Sequence, residues 1–299
     1  MSQIGNIAGY VFERALWCAL SISRWKRNTV YANLGATQTN CKTKSDCIQT
    51  YKSILRNISR HASDILFRFD DYKQLPQDLA DYPRIYNNVK FEIAVQSKDT
   101  LYQMRSGGIF LTAHYGNYEA IGPWLCRLGI PLKASYIPLK PSWLNNFVEH
   151  RIRSVDGESY AVNARTPRDF LRLLDEGKLF CLLMDQDSRI PSAASGSFLG
   201  RRVHVNPLPD FLLKHRPTTP VYICWMEEPD GVRGKRKVLH AVEVTNEIRR
   251  NKDGLTAECA NGTAGEVFNR WLEERIAEDP TLWYGWTHRR FYSCNLEIY

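Results

Sequence analysis

The chain has 299 residues, of which 43% are hydrophobic, so it can bury a substantial core, and the lack of a Pro/Gly/Ser-rich linker or an internal repeat favours one large domain. The formal net charge of +8 favours an acidic partner, and nucleic acid, anionic lipid headgroups and an acidic carrier protein all have that chemistry. The eight cysteines include no CxxC pair, which argues against a zinc site or a disulfide framework and favours a reducing compartment.

Residues 1–27 form the first predicted element, an amphipathic helix. Its apolar run from Ile7 to Ile22 is interrupted by Glu13 and Arg14, and the chain has no run of about 18 apolar residues that would indicate a membrane span. Apolar residues recur at helical spacing, and basic residues follow them. Two interpretations are equally compatible with this pattern: a helix lying in a membrane interface, or a helix packed on the domain. The stripe consists of Ile4, Ala8, Val11, Ala15, Cys18, Ile22 and Trp25.

Residues 28–299 are predicted to form a single α/β domain with a mostly parallel central sheet flanked by helices. The apolar periodicity predicts helices over much of residues 28–70, and the prolines and aspartates of residues 70–88 indicate a loop. A short helix around residues 100–105 is predicted to end at Gly107 and Gly108.

The segment Ile109–Gly122 has the pattern of a strand, a turn and a helix. An apolar run stops at His114, Gly116 and Asn117 provide the turn, and an apolar stripe at helical spacing follows. His114 is therefore predicted at the C-terminal end of a strand, the edge of an open α/β sheet at which ligands bind. Glu119 follows about one turn into the helix, where its carboxylate can approach the imidazole.

A histidine and a carboxylate in this arrangement are suited to general-base catalysis. A neutral imidazole can take a proton from a hydroxyl, and a carboxylate on the other ring nitrogen fixes the tautomer. The alternative is a structural histidine that ends a strand, and spacing alone gives the two equal weight. The position at the strand edge and the turn behind it favour the catalytic interpretation.

Two further segments are predicted to contribute to the same sheet edge. Residues 130–137 read as a strand and residues 141–154 as a helix, with Arg151 on its apolar face, where it needs either a buried carboxylate or a cleft that binds an anion. After a helix that begins at Thr166, residues 179–184 read as a strand buried on both faces, which ends in Asp185, Gln186 and Asp187. These polar residues are predicted to form a second wall of the site, although a turn is the simpler alternative for Asp185.

The remaining third of the chain completes the predicted fold. Residues 192–200 indicate a flexible loop, residues 207–215 a helix, residues 220–226 a strand, and residues 238–244 an edge strand preceded by a basic hairpin at residues 233–237. Thr263 and Glu266 have the spacing of a capping box that opens the last helix. The aromatic tail, Trp283–Phe291, contains Arg289 and Arg290, which either bind phosphate or carboxylate or are solvated beside an aromatic clasp.

The segment His114-Tyr115-Gly116-Asn117-Tyr118-Glu119 resembles the HxxxxD/E motif of glycerolipid-type acyltransferases, in the form found in the lipid A late acyltransferases (lauroyl/myristoyl transferases). Three further segments are similar to that family in the same order, and together the four cover roughly residues 90 to 292. They are Tyr136-Ile-Pro-Leu-Lys-Pro through Arg151, Asp185-Gln186, and Trp283 to Phe291, which reads W-x-x-W-x-H-R-R-F in this chain.

This resemblance implies an α/β acyltransferase fold, an acyl carrier protein thioester (or acyl-CoA) as donor, a glycolipid hydroxyl as acceptor, and no cofactor or metal. It implies His114 as the base with Glu119 as its partner. The remaining residues of the motifs are implied to bind substrate, with the two tail arginines on acceptor phosphates: Gly116, Asn117, Arg151, Asp185, Gln186, Arg289 and Arg290.

The sequence therefore predicts an O-acyltransferase at the cytoplasmic face of the inner (plasma) membrane, acting without a covalent acyl-enzyme and without a nucleic-acid partner. Members of the family commonly begin with a membrane-spanning helix, whereas Glu13 and Arg14 favour peripheral or monotopic attachment here. The alternatives are transfer to another acceptor, such as a lysophospholipid or a mannosylated lipid, hydrolysis with water as acceptor, and a basic lipid- or nucleic-acid-binding protein without catalysis.

Overall fold

The computed structural model describes residues 3–37, 43–136, 140–229, 235–252 and 263–299. These residues form a single α/β fold in which helices flank a mostly parallel sheet of eight strands. The helices of the described residues are α1 (Gln3–Ile22), α2 (Arg27–Ala36), α3 (Lys44–Lys73), α4 (Lys98–Gln103), α5 (Tyr118–Arg127), α6 (Ser142–Arg151), α7 (Pro167–Asp175), α8 (Leu208–His215), α9 (Thr245–Lys252) and α10 (Thr263–Glu278).

The strands lie in one large sheet and two small hairpins. They are β1 (Arg84–Tyr86), β2 (Val89–Ile93), β3 (Gly108–Thr112), β4 (Leu132–Ser135), β5 (Ser154–Val155), β6 (Glu158–Ser159), β7 (Ala161–Val162), β8 (Leu179–Leu183), β9 (Ala194–Phe198), β10 (Arg201–Val205), β11 (Val221–Glu227) and β12 (Arg236–Glu243). The order in the large sheet is β1-β2-β12-β11-β3-β8-β4-β7, with antiparallel pairs at β1–β2 and β12–β11. The hairpins are β5–β6 and β9–β10.

Strand β3 lies near the centre of the sheet because its residues are apolar on both faces. Ile109 and Leu111 pack into the core under α8 and α10, whereas Phe110 packs into the core under α4 and α5. Strands β11 and β8 flank β3 in parallel, and Thr112 lies opposite Leu183 of β8. The residues that follow β3 and β8 therefore lie side by side at one edge of the sheet.

Most predicted elements are confirmed, including the strand–turn–helix at residues 108–127 and the buried strand β8. The predicted loop at residues 70–88 is wrong in part, because α3 continues to Lys73 and β1 occupies Arg84–Tyr86. The predicted flexible loop at residues 192–200 is also wrong, since β9 pairs with β10 there. Strand β12 is not an edge strand, because β2 pairs along its outer side. Residues 233–234 of the predicted basic hairpin lie outside the described residues, and residues 236–237 belong to β12 itself.

The N-terminal helix packs on α3 through a face different from the apolar stripe. The Gly9 carbonyl accepts a hydrogen bond from the Ser63 hydroxyl at 2.8 Å, and Glu13 pairs with Arg60 at 3.3 Å. The stripe lies on the opposite side and is exposed to solvent. Its exposed members include Ala8, Val11, Ala15, Cys18 and Ile22. No helix among the described residues is long and apolar enough to cross a bilayer.

Candidate active site

His114 lies two residues beyond the end of β3, at the predicted sheet edge, and is held there by its main chain. Its carbonyl oxygen accepts a hydrogen bond from the Tyr284 N–H at 2.8 Å, and the Gly116 N–H donates to the Leu282 carbonyl at 2.9 Å. Between them, Tyr115 forms a β-bridge with Trp283. The C-terminal tail therefore acts as a short extra strand that fixes the segment after β3. The imidazole remains partly accessible, with 16% of the side chain exposed.

The carboxylate that contacts the imidazole belongs to Asp185, not to Glu119. His114 Nδ1 lies 2.9 Å from Asp185 Oδ1, and the His114 backbone N–H donates to Oδ2 at 3.0 Å. The Trp283 indole N–H donates to the same Oδ2 at 2.9 Å. Because an ionised carboxylate can only accept, Nδ1 carries the proton of the neutral ring and Nε2 has a free lone pair. Asp185 thus has the orienting role that the sequence had assigned to Glu119.

The charges of this pair stabilise each other inside the protein. Burial raises the pKa of Asp185, but the neighbouring His114 and the three hydrogen bonds outweigh it and lower that pKa from 3.8 to about 2. Burial lowers the pKa of His114, and the charge and hydrogen bond of Asp185, with a smaller contribution from Glu119, outweigh it and raise that pKa above 6.5. His114 is therefore a stronger base than an isolated imidazole.

Glu119 occupies a different position, in the first turn of α5, where it lines a cavity of about 90 Å³. Burial raises the pKa of Glu119, and the positive charges of Arg153 and His114 only partly oppose this. Among the described residues it makes no hydrogen bond or ion pair. Tyr118 lies between this cavity and His114, because its ring lines the cavity and contacts the imidazole edge-on at a centroid distance of 4.9 Å.

The wall of the cavity is mostly apolar. Its polar lining includes Glu119 and Arg153, and its apolar lining includes Phe110, Leu132 and Leu183 from strands β3, β4 and β8. Arg153 is a site residue that the sequence did not reveal, and it lies over the ring of Tyr136 at 5.0 Å. Its position two residues after Arg151 was the available signal, because only one arginine of such a pair can face inward.

Arg151 does not line the cavity. Its Nη1 donates to both carboxylate oxygens of Asp70, at 2.6 Å to Oδ1 and 2.5 Å to Oδ2, and both side chains are partly exposed. Neither alternative for Arg151 is therefore correct, since its partner is a surface carboxylate that lies at the end of α3. The part of the family-like segment at residues 137–139 lies outside the described residues.

The two tail arginines have different environments. Arg289 is exposed and stacks on Tyr292 and Tyr299 at 5.7 and 5.6 Å. Arg290 is fully buried, lies over the Phe198 ring at 5.4 Å and donates to the His204 carbonyl at 2.8 Å. Burial lowers the pKa of Arg290 to about 10, although the acidic side chains of Asp185 and Asp187 oppose the shift. A buried guanidinium cannot reach a lipid phosphate, so the prediction for Arg290 is wrong.

Gly116 and Asn117 are structural parts of the turn. Gly116 adopts φ +56°, a left-handed conformation that favours glycine. Asn117 is buried, and its amide donates to Asp64 at 2.5 Å and to the Tyr72 hydroxyl at 3.3 Å. Gln186 is exposed and forms no hydrogen bond with other described residues. Neither Asn117 nor Gln186 lines the cavity beside Glu119.

A buried ionic network supports the turn from behind. Lys237 of β12 is 1% exposed and contacts Glu228, whose other oxygen contacts His61 Nε2 at 2.9 Å. The Lys237 amine also lies 3.6 Å from Asp64, the acceptor of the Asn117 amide. The network therefore joins α3, β12 and Glu228, the residue after β11, to the segment that holds His114.

His288 of the tail lies on the exposed side of His114, at a ring centroid distance of 6.0 Å. Burial and the positive charge of His114 lower the pKa of His288, although Asp185 opposes this. The two neighbouring imidazoles therefore differ in proton affinity. No group of three His, Cys, Asp or Glu side chains suited to a metal ion occurs within the described ranges. The chain matches no protein-family model and no curated protein.

Proposed function

We propose that this protein is an O-acyltransferase that moves a fatty acyl chain from an acyl carrier protein or CoA thioester to a hydroxyl of a membrane glycolipid, similar to a lipid A precursor. The observation that supports this best is the His114–Asp185 pair, which leaves Nε2 free as a base, beside a cavity whose wall is mostly apolar. The four motifs that resemble the lipid A late acyltransferases support the choice of donor and acceptor.

The proposed reaction uses His114 as the base and Asp185 as the residue that positions it. Nε2 takes the proton of the acceptor hydroxyl while the hydroxyl oxygen attacks the thioester carbon. The tetrahedral intermediate collapses with cleavage of the C–S bond, and the imidazolium returns its proton to the leaving thiolate. Asp185 stabilises the imidazolium through the Nδ1 hydrogen bond. The acyl chain lies in the cavity beyond Tyr118, so that its carbonyl is next to His114 and within reach of the Arg153 charge.

The test is a transfer assay with the purified full chain, an acyl carrier protein thioester and a glycolipid acceptor, with products measured by mass spectrometry. We expect His114→Ala to reduce transfer by roughly 10²–10⁴-fold, the contribution of a positioned general base. His215→Ala is the matched control, since His215 is exposed on α8 and its ring contacts only the end of its own helix. Full transfer by His114→Ala would refute the mechanism, and free fatty acid without acylated lipid would identify a hydrolase instead.

Attachment to the cytoplasmic face of the membrane through α1 forms part of the same proposal. The exposed stripe includes Val11 and Ile22, which are 59% and 83% exposed, and the adjacent Ile7 is 64% exposed. Apolar residues at this density on one helix face favour a membrane interface. Glu13, which interrupts the apolar run in the sequence, is turned away from the stripe and towards Arg60 of α3. Basic residues that follow α1 are suited to anionic headgroups.

Flotation with vesicles that contain anionic phospholipid tests this attachment. Val11→Asp places a charge in the middle of the stripe, and we expect it to reduce the bound fraction at least several-fold. Val95→Asp is the control, because Val95 is 83% exposed but lies in a short turn before α4. Equal binding of both variants and the wild type would exclude α1 as the attachment site.

A further inference from the structure

A second cavity lies behind the cavity that contains Glu119. Its volume is about 400 Å³, and its lining includes the charged residues Lys133, Glu158 and Lys178. The two cavities have two lining residues in common, Leu132 of β4 and Tyr160, which lies between the hairpin β5–β6 and β7. Tyr160 is only 7% exposed, so its ring forms part of the partition between an apolar space and a polar one.

The ring of Tyr160 has little freedom to move. Its hydroxyl donates to the Ile152 carbonyl at 2.9 Å. On the other side it packs directly against α5 at Gly122, where an added Cβ would lie 2.8 Å from the hydroxyl oxygen and 2.9 Å from Cζ. A glycine at this helical position is thus required by the ring, since any larger residue would displace it. Moving the ring would also break a buried hydrogen bond, which costs more than the bond itself contributes.

We infer that Tyr160, seated against Gly122, ends the cavity and sets the longest apolar chain that the site accepts. This inference depends on the proposed function, since it concerns the acyl chain of the donor. A chain that fits ends at the ring, and one that is too long must displace the ring or leave methylene groups outside the apolar wall. Removing the ring joins the two cavities, and the end of a longer chain can then pass towards the larger opening.

The test compares chain-length profiles of the wild type and three variants, with thioesters whose saturated chains differ by two methylene groups. Each profile is the ratio of kcat/KM for successive chains, so the folded fraction of a variant cancels. One methylene group too many in an apolar pocket reduces kcat/KM by roughly 10- to 200-fold. In Tyr160→Ala we expect kcat/KM no longer to fall at the chain length that limits the wild type. In Tyr160→Phe, which keeps the ring, we expect the same fall as in the wild type. Gly122→Ala is expected to change the wild-type limit as well, because its methyl group would displace the Tyr160 ring.

Tyr51→Ala is the matched control, since Tyr51 is also a buried tyrosine whose hydroxyl donates to a backbone carbonyl, that of Trp25 at 3.0 Å, and it lines neither cavity. Displacement of a fluorescent fatty acid by fatty acids of graded length measures the same limit without transfer. Tyr51→Ala is expected to keep the wild-type chain-length limit, and the inference is wrong if Tyr160→Ala keeps it as well. A wild-type protein that neither binds nor transfers any chain would instead refute the proposed function.

Discussion

Replacing Asp185 by asparagine tests which carboxylate positions His114. The substitution keeps the shape of the side chain but leaves one oxygen for three donors. In the wild type, Oδ2 accepts from the His114 N–H and the Trp283 indole, and Oδ1 faces Nδ1. The single amide oxygen is best placed towards the first two donors, so the NH₂ group then faces Nδ1. That ring nitrogen must accept, and the proton moves to Nε2, the atom that has to act as the base.

The pKa of Asp185 gives the size of the interaction that the substitution removes. A decrease from 3.8 to about 2 corresponds to about 2 kcal/mol in favour of the ionised carboxylate, in spite of its burial. Because this pKa is lowered on folding, the stabilisation is present above pH 3.8 and is lost as the pH falls towards 2. Asp185→Asn removes the interaction at all pH values and lowers the pKa of His114. With the wrong tautomer as well, transfer is expected to fall by roughly 10³–10⁴-fold.

Nitrogen NMR of histidine-labelled protein measures the tautomer directly and needs no substrate. In the wild type the lone pair is expected on Nε2, and in Asp185→Asn on Nδ1. Glu119→Gln is the control, because Glu119 influences His114 through its charge without a hydrogen bond. It should keep the wild-type tautomer and lower the pKa of His114 less than Asp185→Asn does. If Glu119→Gln changes the tautomer and Asp185→Asn does not, the assignment of Asp185 as the positioning residue is refuted.

Two further predictions concern stability. Lys237→Met leaves the acidic side chains of a buried network without their cation, and we expect a loss of about 3–5 kcal/mol in urea unfolding, whereas exposed Lys52→Met changes it by less than about 0.5 kcal/mol. Equal effects would contradict the network. Gly107→Ala should cost at least about 1–3 kcal/mol, because φ is +86° and the new Cβ would lie 2.5 Å from the Gly177 carbonyl oxygen. Gly35→Ala in α2 has open space and should be neutral or stabilising, which a thermal melt of both variants can check.

The position of the site was predictable because parallel strands present their C-terminal residues at one edge. Two apolar runs, ending at His114 and at Asp185, were enough to predict two walls of one site. The choice between Glu119 and Asp185 required the register, in which Thr112 lies opposite Leu183 and the residues two positions further on meet. The sequence contains no record of which strands are neighbours, so local spacing favoured the carboxylate nearer along the chain.

The wrong predictions for β12 and for Arg290 also depend on contacts between distant parts of the chain, although for β12 the sequence contained a usable signal. Val89–Ile93 alternates apolar and polar residues as a half-buried strand does, and recognising it would have placed β12 inside the sheet. The difference between Arg289 and Arg290 was not predictable, because the two side chains are chemically identical. Only the path of the tail decides which one is buried. That path depends on pairing between the tail and the segment at Tyr115, a contact between residues far apart in the chain.

The two carboxylates beside His114 are suited to different tasks, because their environments move their pKa values in opposite directions. Asp185 accepts three hydrogen bonds and stays ionised, so it can hold the imidazole and stabilise its positive form. Glu119 lines the cavity without a hydrogen bond from the described residues, and burial raises its pKa. A group with unused hydrogen-bonding capacity on the wall of a cavity is available to a ligand, whereas Asp185 already accepts three hydrogen bonds. Such separated pKa values are typical of sites in which one carboxylate orients the base and another meets the substrate.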